Sequence, residues 1–286
     1  MSAATAQRSM TEHGDNLSAD NFVRLTRYIH EHAGIRLPMG KQTMLEGRLR
    51  RRLRATGAPS LDSYCQYVFA GRNLEEEGPY LINAVTTNKT DFFREPKHFD
   101  YLCDTLLPDL AAQGARNLHI WSAACSTGAE PYTLAMLLDD FISRHRGMAY
   151  DILATDLDTE VIETARRGIY HSDMIAPVPA DLRRKYVMFA RHPQRNEVRI
   201  VPKLRAAVSF ARMNLMDSRY PVGAEMDIIF CRNVLIYFDR PTQERVVARL
   251  ADCLAPGGHL FLGHSETITG FDLPLVQVAN TIFRRV

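Results

Sequence analysis

Four apolar runs in this chain end in short polar tips: "CSTG" at 125–128, "TDLD" at 155–158, "MNL" at 213–215 and "CRN" at 231–233. In an open α/β sheet, ligands bind outside the carboxyl ends of the strands. If the runs are strands, Ser126, Thr127, Gly128, Asp156, Asn214, Arg232 and Asn233 gather on one edge. Any one of them is an ordinary solvated strand end, but seven together describe a site. Asp156 closes the second run, where an acid can accept hydrogen bonds from both hydroxyls of a ribose. Asp158 or Thr159 can cap the next helix and leave Asp156 unengaged. The first turn holds a single glycine, Gly128, whereas a pyrophosphate needs close backbone approach over several residues. Glu130, in the first helical turn, repels phosphate and attracts an amine. S-adenosylmethionine has a ribose, an amine and a sulfonium but no phosphate, and it suits this edge better than a dinucleotide does.

The elements that must position these residues follow from periodicity. "SADNFVRLTRYIHEHAG" opens on a capping residue, Ser18 or Asp20, and repeats Phe22, Leu25 and Ile29 before Gly34, which predicts a helix. "KQTMLEGRLRRRLRATG", "LDSYCQYVF" and "EEEGPYLINAVTT" predict three more. "EPKHFDYLCDTLLPDLAAQ" predicts a linking helix with Pro96 in its first turn. From Asn117 onward strands alternate with helices: "NLHIWSA", "YDILATD", "AAVSFARMN", "EMDIIFCRN", "HLFLGHS" and "NTIFRRV" are the strands. That alternation predicts a doubly wound α/β sheet, mostly parallel. The Pro-Gly-Gly turn at 256–258 and the closing strand predict an antiparallel hairpin at one edge. The expected organisation is a helical domain at 18–95 and an α/β domain at 96–286, with a small β-rich insert at 171–205.

Net charge is +2, but residues 21–72 carry ten Lys/Arg against three Asp/Glu. The N-terminal part therefore favours an acidic partner. In "EGRLRRRLR", Arg48, Arg51 and Arg52 fall at i, i+3 and i+4 and share a helix face, with Arg54 off it. Leu45, Leu49 and Leu53 would hold the opposite face in a core. The five cysteines are widely spaced and never CxxC, which argues against a disulfide framework or zinc site and suits a reducing, cytoplasmic setting. No apolar run is long enough to span a membrane. "MSAATAQRSMTEHGDNLS" has no apolar core, so it reads as an unstructured lead-in and not as a signal peptide.

Taken together, "TTNKTDFFRE", "WSAACSTGAEPYTLAM", "ATDLD", "FARMNL", "FCRNVLIYFD" and "LAPGGHLFLGHSE" resemble the chemotaxis receptor methyltransferases of bacteria, the CheR type. The match keeps the motif order over nearly the whole chain after the polar N-terminus. The resemblance implies a class I S-adenosylmethionine-dependent methyltransferase fold, with an N-terminal all-helical domain. It implies a protein-glutamate O-methyltransferase that needs no metal and acts on glutamates of the cytoplasmic coiled coil of chemoreceptors, in chemotactic adaptation. It also implies a cytoplasmic enzyme recruited to membrane receptor arrays. By motif position, Asn88, Thr90, Arg94, Glu130, Asp156, Asn214, Leu215, Arg232 and Asn233 would contact the cofactor. Arg94 and Tyr237 would lie near the transferred methyl group, and Arg48, Arg51 and Arg54 would bind the protein substrate. Family members commonly carry two glutamates after the first-loop glycine; here the first is Ala129 and Glu130 is the matching contact. Members whose insert binds a receptor's C-terminal pentapeptide tend to have glycines in its loop. The loop here, "ARHPQRNE", has none, so tight binding of such a tail is not expected. The residues alone leave two other readings open: an RNA methyltransferase whose Arg helix grips phosphates, and a non-catalytic adenosylmethionine-binding adaptor. "CRNV" lacks the Asn/Asp-Pro-Pro-aromatic tip of many enzymes of the first kind, and the presence of Arg94 and Tyr237 argues against the second.

Overall fold

The computed structural model describes residues 16–286 apart from Arg146 and Pro193. The expected unstructured lead-in falls mostly on residues 1–15, outside the described residues. Contacts divide the chain between Thr86 and Thr87, where the sequence suggested 95/96.

The first unit is helical: α1 (Ala19–Ala33), α2 (Gln42–Thr56), α3 (Leu61–Val68) and α4 (Asn73–Val85). Ser18 caps α1, its hydroxyl accepting the Asn21 N–H at 3.4 Å, and Gly34 ends it in the left-handed conformation. Phe22, Leu25 and Ile29 from α1, Leu45 and Leu49 from α2, and Tyr64 and Leu81 from α3 and α4 are buried. Each such side chain contributes about 1.5–3 kcal/mol on leaving water. Charges buried among them are matched. Glu77 accepts both guanidinium nitrogens of Arg52 (2.7 and 2.8 Å) and the Tyr64 hydroxyl (2.8 Å). Removing one partner of such a set strands the other, which is why these groups fix how α2 meets α4.

The second unit opens with a helix in three pieces. α5 (Pro96–Tyr101) and α6 (Leu107–Ala112) flank a π-helical turn, Leu102–Leu106. The sequence predicted one uninterrupted helix. Pro108 has no N–H to offer the preceding turn, and a wider turn beside it absorbs the mismatch. Then come β1 (Asn117–Ala123), α7 (Ala129–Ile142), β2 (Ala149–Asp156) and α8 (Thr159–Arg167). The insert follows: β3 (Ile169–His171), α9 (Ala180–Tyr186), β4 (Val187–Phe189) and β5 (Glu197–Ile200). Its strands form their own sheet, β3-β5-β4, antiparallel throughout. Leu204, within the expected β-rich insert, lies in α10 (Pro202–Ala206), because Pro202 suits the first turn of a helix. The chain closes with β6 (Val208–Arg212), β7 (Met226–Cys231), α11 (Arg240–Cys253), β8 (Leu254–Leu262), β9 (Leu275–Ala279) and β10 (Ile282–Arg285).

The main sheet runs β6-β2-β1-β7-β8-β10-β9. The first five strands are parallel, and β10 is antiparallel to both β8 and β9. β9 had no sequence signature: Leu275 and Ala279 are only half-buried and the three residues between them are exposed, so "LVQVA" shows no buried stripe. Alternating residues feed a core on each side of the sheet. Ile120, Ile228 and Phe230 pack with Tyr132 and Leu134 of α7, while Trp121, Ile229 and Cys231 pack with Val246 and Leu250 of α11. The order of strands reverses between β1 and β7. The crevice at that switch is where the fold opens to a ligand.

Candidate active site

The loop after β1 holds three left-handed residues, Ala124 (φ 58°), Ser126 (φ 50°) and Gly128 (φ 90°). Only the last is glycine, and there a side chain is excluded twice. A Cβ on Gly128 would lie 2.8 Å from Ala165 Cβ and 3.0 Å from the Tyr170 hydroxyl. Ala124 and Ser126 take that conformation against their own sterics, at about 1–2 kcal/mol each. Such strain persists only where surrounding bonds over-determine it, and they do here. The Ser126 N–H donates to Asp156 Oδ2 (2.8 Å), the Ser126 hydroxyl donates to the Asn88 carbonyl (2.8 Å), and the Cys125 N–H donates to the Thr155 carbonyl (2.9 Å).

Asp158 caps α8, accepting the N–H groups of Glu160 and Val161, as expected. Asp156 is not left unengaged, however. Its Oδ1 accepts the Asp158 N–H at 2.9 Å while its Oδ2 holds Ser126. Burial raises its pKa above the ordinary carboxyl value, with those backbone donors acting against the rise. The Leu157 amide acts in the same direction. Asn88 donates to Asp158 Oδ2 at 2.7 Å, which ties the segment before the sheet to the tip of β2.

Across the switch, Arg232 at the end of β7 is buried and makes a two-sided bridge. It donates to Glu130 Oε2 (3.1 Å) and to Glu95 Oε2 (2.9 Å), and also to the backbone carbonyl of Arg94. Ser122 holds the other oxygen of Glu130 at 2.8 Å. Burial raises Glu130's pKa, and Arg232 opposes the rise. For Glu95 the balance is reversed. Burial alone would raise it, but hydrogen bonds from Asn233 and Arg232, with Arg232's charge, bring it down to about 2. Burial, reinforced by Arg232, pushes His98 down to about 4. Phe93 and Glu95, on either side of Arg94, are both left-handed (φ 56° and 58°). The Phe93 N–H is held by the Thr133 hydroxyl at 3.2 Å, and Arg94 Nη1 donates to the Lys89 carbonyl at 3.0 Å.

The structure therefore joins Asn88 to Asp158 and Ser126, joins Arg232 and Asn233 through Glu95, and joins Glu130 to them through Arg232. Thr90 and Arg94, half-buried, sit on the same segment as Asn88. At the tip of β6, Leu215 is buried and Asn214 Oδ1 accepts the Met216 N–H at 3.0 Å. Tyr237 ends the single turn Leu235–Tyr237 that follows β7. Glu95 and Glu266 had no role in the sequence reading, although both stand in motifs quoted there, "FFRE" and "GHSE". A carboxylate whose partners lie more than a hundred residues away, or are main-chain amides, has no spacing signature. Among the described residues, Glu95, His98 and His264 bring ligand-capable atoms within 4.8 Å of one another. Arg232 already pairs with Glu95 at 2.9 Å, so the charge there is already met.

On α2, Arg52 forks onto Glu77 and Arg48 donates to the carbonyls of Val85 and Thr86. The proposed arginine face is thus partly committed within its own unit. Arg50, Arg51 and Arg54 are exposed, and Arg50, Leu53, Arg54, Gly57 and Ala58 line a groove of about 320 Å³.

Two family domains account for the chain. The CheR methyltransferase all-alpha domain matches residues 20–86, and the CheR methyltransferase SAM binding domain matches residues 88–283. A chemotaxis protein methyltransferase of Escherichia coli (strain K12) is 39% identical over 93% of this chain and 91% of its own. Chemotaxis protein methyltransferase 2 of Pseudomonas aeruginosa is 36% identical over 92% of each chain. That of Borreliella burgdorferi is 36% identical over 89% of this chain and 90% of its own. Likeness to solved structures is looser: a glycopeptide N-methyltransferase complexed with sinefungin superposes at TM-score 0.37, with 14% identity over 69% of this chain and 60% of that one. The second unit is an S-adenosylmethionine-binding methyltransferase domain. With both of its domains present in order, the chain belongs to the CheR family of chemotaxis protein methyltransferases, which are protein-glutamate O-methyltransferases.

The residues present fit the cofactor. Arg232 Nε is buried with no hydrogen-bond partner, a donor that a carboxylate would satisfy. Glu130, in the first turn of α7, and Asp156, at the tip of β2, supply carboxylate oxygens that could accept from an amine and from ribose hydroxyls.

Proposed function

We propose that this methyltransferase esterifies glutamate side chains on the cytoplasmic coiled-coil domain of chemoreceptors, as the adaptation step of chemotaxis. The observation that carries the reading is the buried Arg232, which bridges Glu130 and Glu95 across the β1–β7 switch and keeps one unpartnered donor. Asp156 would accept from the ribose, and Glu130 from the amine. Asn88, Thr90, Arg94, Asn214, Leu215, Arg232 and Asn233 would line the remaining contacts.

When bound, S-adenosylmethionine supplies an already activated methyl group on its sulfonium. The attacking glutamate, with a pKa of about 4.3, is ionised at pH 7 and needs no general base. The protein's task is to strip water from that carboxylate and align it. Positioning of this kind lowers barriers by roughly 7–11 kcal/mol. Arg94, held between two left-handed residues, steers the carboxylate, and Tyr237 shapes the methyl pocket.

Substrate recognition falls to α2, whose exposed Arg51 and Arg54 meet a substrate helix rich in glutamate. Arg48, with Nη1 on two main-chain carbonyls, also stiffens that surface. The insert is a lesser docking site. Strand addition needs a run of main-chain partners, and both edge strands of its sheet, β3 and β4, have three residues. The enzyme then acts at receptor arrays by binding receptors; among the described residues no helix is long and apolar enough to cross a membrane. Incubation with methyl-labelled S-adenosylmethionine and receptor-rich membranes tests the reading. The label should enter receptor protein and be released by mild base, as a glutamyl methyl ester is. Base-stable label, or none, would defeat it.

A further inference from the structure

Glu266 sits in the turn beyond β8. It is 5% exposed, yet its partners are main-chain amides and not cations. Its Oε2 accepts the N–H groups of Gly263 (2.6 Å) and Asn233 (3.0 Å), and its Oε1 accepts that of Leu235 (2.7 Å). Residue 233 lies in the short connection that follows β7, and residue 235 opens the turn Leu235–Tyr237. A single turn leaves its leading amides without internal partners, and here a carboxylate supplies them. Asn233 is left-handed, φ 59°, a conformation that asparagine tolerates better than most residues. The fit against β8 is close. A Cβ on Gly263 would come within 2.7 Å of Asn233 Nδ2, 2.8 Å of Asn233 N and 2.9 Å of Glu266 Oε2.

The side chain of Asn233 is fixed from the opposite direction. Its Nδ2 donates to Glu95 Oε1 at 3.0 Å. A carboxylate can only accept, so Glu95 decides which end of the amide faces it. The main chain is then held by Glu266 and the side chain by Glu95, and the amide oxygen is left as an acceptor of settled direction.

We propose that Glu266 is a positioning residue for methyl transfer: through the amides of 233 and 235 it fixes Asn233 and the turn that carries Tyr237 against the cofactor. This rests on the reading of Asn233 as a cofactor contact, so the test separates the two. Affinity for S-adenosylhomocysteine is measured by calorimetry for the wild type, Asn233→Ala, Glu266→Gln and the double variant. Fluorescence of Trp121 confirms that each is folded at the working temperature. Gln presents an NH₂ where one amide needs an acceptor, so Glu266→Gln should weaken binding on the order of tenfold. Glu266→Asp, which keeps the charge on a shorter arm, should recover part of that loss. The double variant should bind no more weakly than Asn233→Ala, because the two residues act in series. Losses that add, or unchanged affinity in folded Glu266→Gln when Asn233→Ala is weakened, would overturn the inference. Unchanged affinity in Asn233→Ala would remove the cofactor reading of Asn233, and this inference with it. Should Glu266→Gln not fold, Gly263→Ala presses on the same contact and must show the same loss; full affinity there overturns the role.

Discussion

Replacing Glu95 by Gln is the most informative perturbation of the network around Arg232. Glu95 accepts from Arg232 at 2.9 Å and from Asn233 at 3.0 Å, and it is 14% exposed. Its pKa falls from the ordinary 4.5 to about 2 in the folded chain. At about 1.4 kcal/mol per pKa unit, that places about 3 kcal/mol of stability on the ionised form. Gln mimics the protonated acid, so the variant should lose about that much at pH 7. Breaking one side of a buried ion pair costs about 3–5 kcal/mol when the partner is stranded. Arg232 keeps Glu130 at 3.1 Å, which sets the expectation at the lower end, and the two routes agree. Trp121 is the chain's sole tryptophan. It is fully buried beside Tyr220, with its indole N–H on Thr155 at 2.9 Å. Its fluorescence in a urea titration therefore reports the second unit alone, which matters because a chain with two units need not unfold in one step. The pH dependence fixes the sign. Because the folded pKa is depressed, the contribution is complete above about 4.5 and is lost as pH falls towards about 2. The gap between wild type and Glu95→Gln should be constant from pH 7 to about 5 and narrow below that. A gap under about 1 kcal/mol at pH 7, or one that does not narrow in acid, would refute the reasoning.

Three further outcomes are expected. Asp156→Asn should weaken S-adenosylhomocysteine binding about tenfold or more; because Asp156 also holds the Ser126 and Asp158 amides, the melting temperature should fall as well, and unchanged affinity by calorimetry would remove it from the site. Arg94→Ala should nearly abolish methylation and Arg94→Lys should recover little of it, since a point charge does not replace a planar fork; full turnover in either variant would reduce Arg94 to a structural residue. Arg51→Ala with Arg54→Ala should raise the KM for receptor and leave S-adenosylhomocysteine affinity alone. Wild-type turnover should also fall with salt, because exposed charges are screened over about 8–10 Å at physiological strength; a salt-independent rate with an unaltered KM would count against docking through α2.

The left-handed residues of the second unit are not scattered. Apart from glycines and Thr281, they are Phe93, Glu95, Ala124, Ser126 and Asn233. All five stand in the loops that present candidate site residues. Four of them are held by bonds from another element: Thr133 for Phe93, Arg232 for Glu95, Asp156 for Ser126, Glu266 for Asn233. Backbone strain at a site of this kind is the cost of a geometry the chain would not adopt locally, offset by contacts distant in sequence.

The sequence by itself determined the elements. Phe22, Leu25 and Ile29 at helical spacing placed α1, and "NLHIWSA" placed β1 to the residue, because burial of one stripe or of a strand buried on both faces leaves its period in the order of residues. It also gathered the candidate site residues on one edge, since polar residues that close apolar runs in an α/β sheet have one end to go to. It did not show β9, none of whose side chains is fully buried, nor the π turn, which depends on how a proline meets the preceding carbonyls. Above all it did not show the bonding among site residues. Local reading left Asp156 unengaged and put Arg48 and Arg52 on a docking face. The fold engages Asp156 with two amides, Arg52 with Glu77 and Arg48 with the end of α4. Nor does any spacing announce that Glu95, Glu130 and Glu266 converge on the tip of β7. A hydrogen bond between residues a hundred positions apart, as Arg232 makes with Glu130, has no period; it exists only once the strands have been laid side by side.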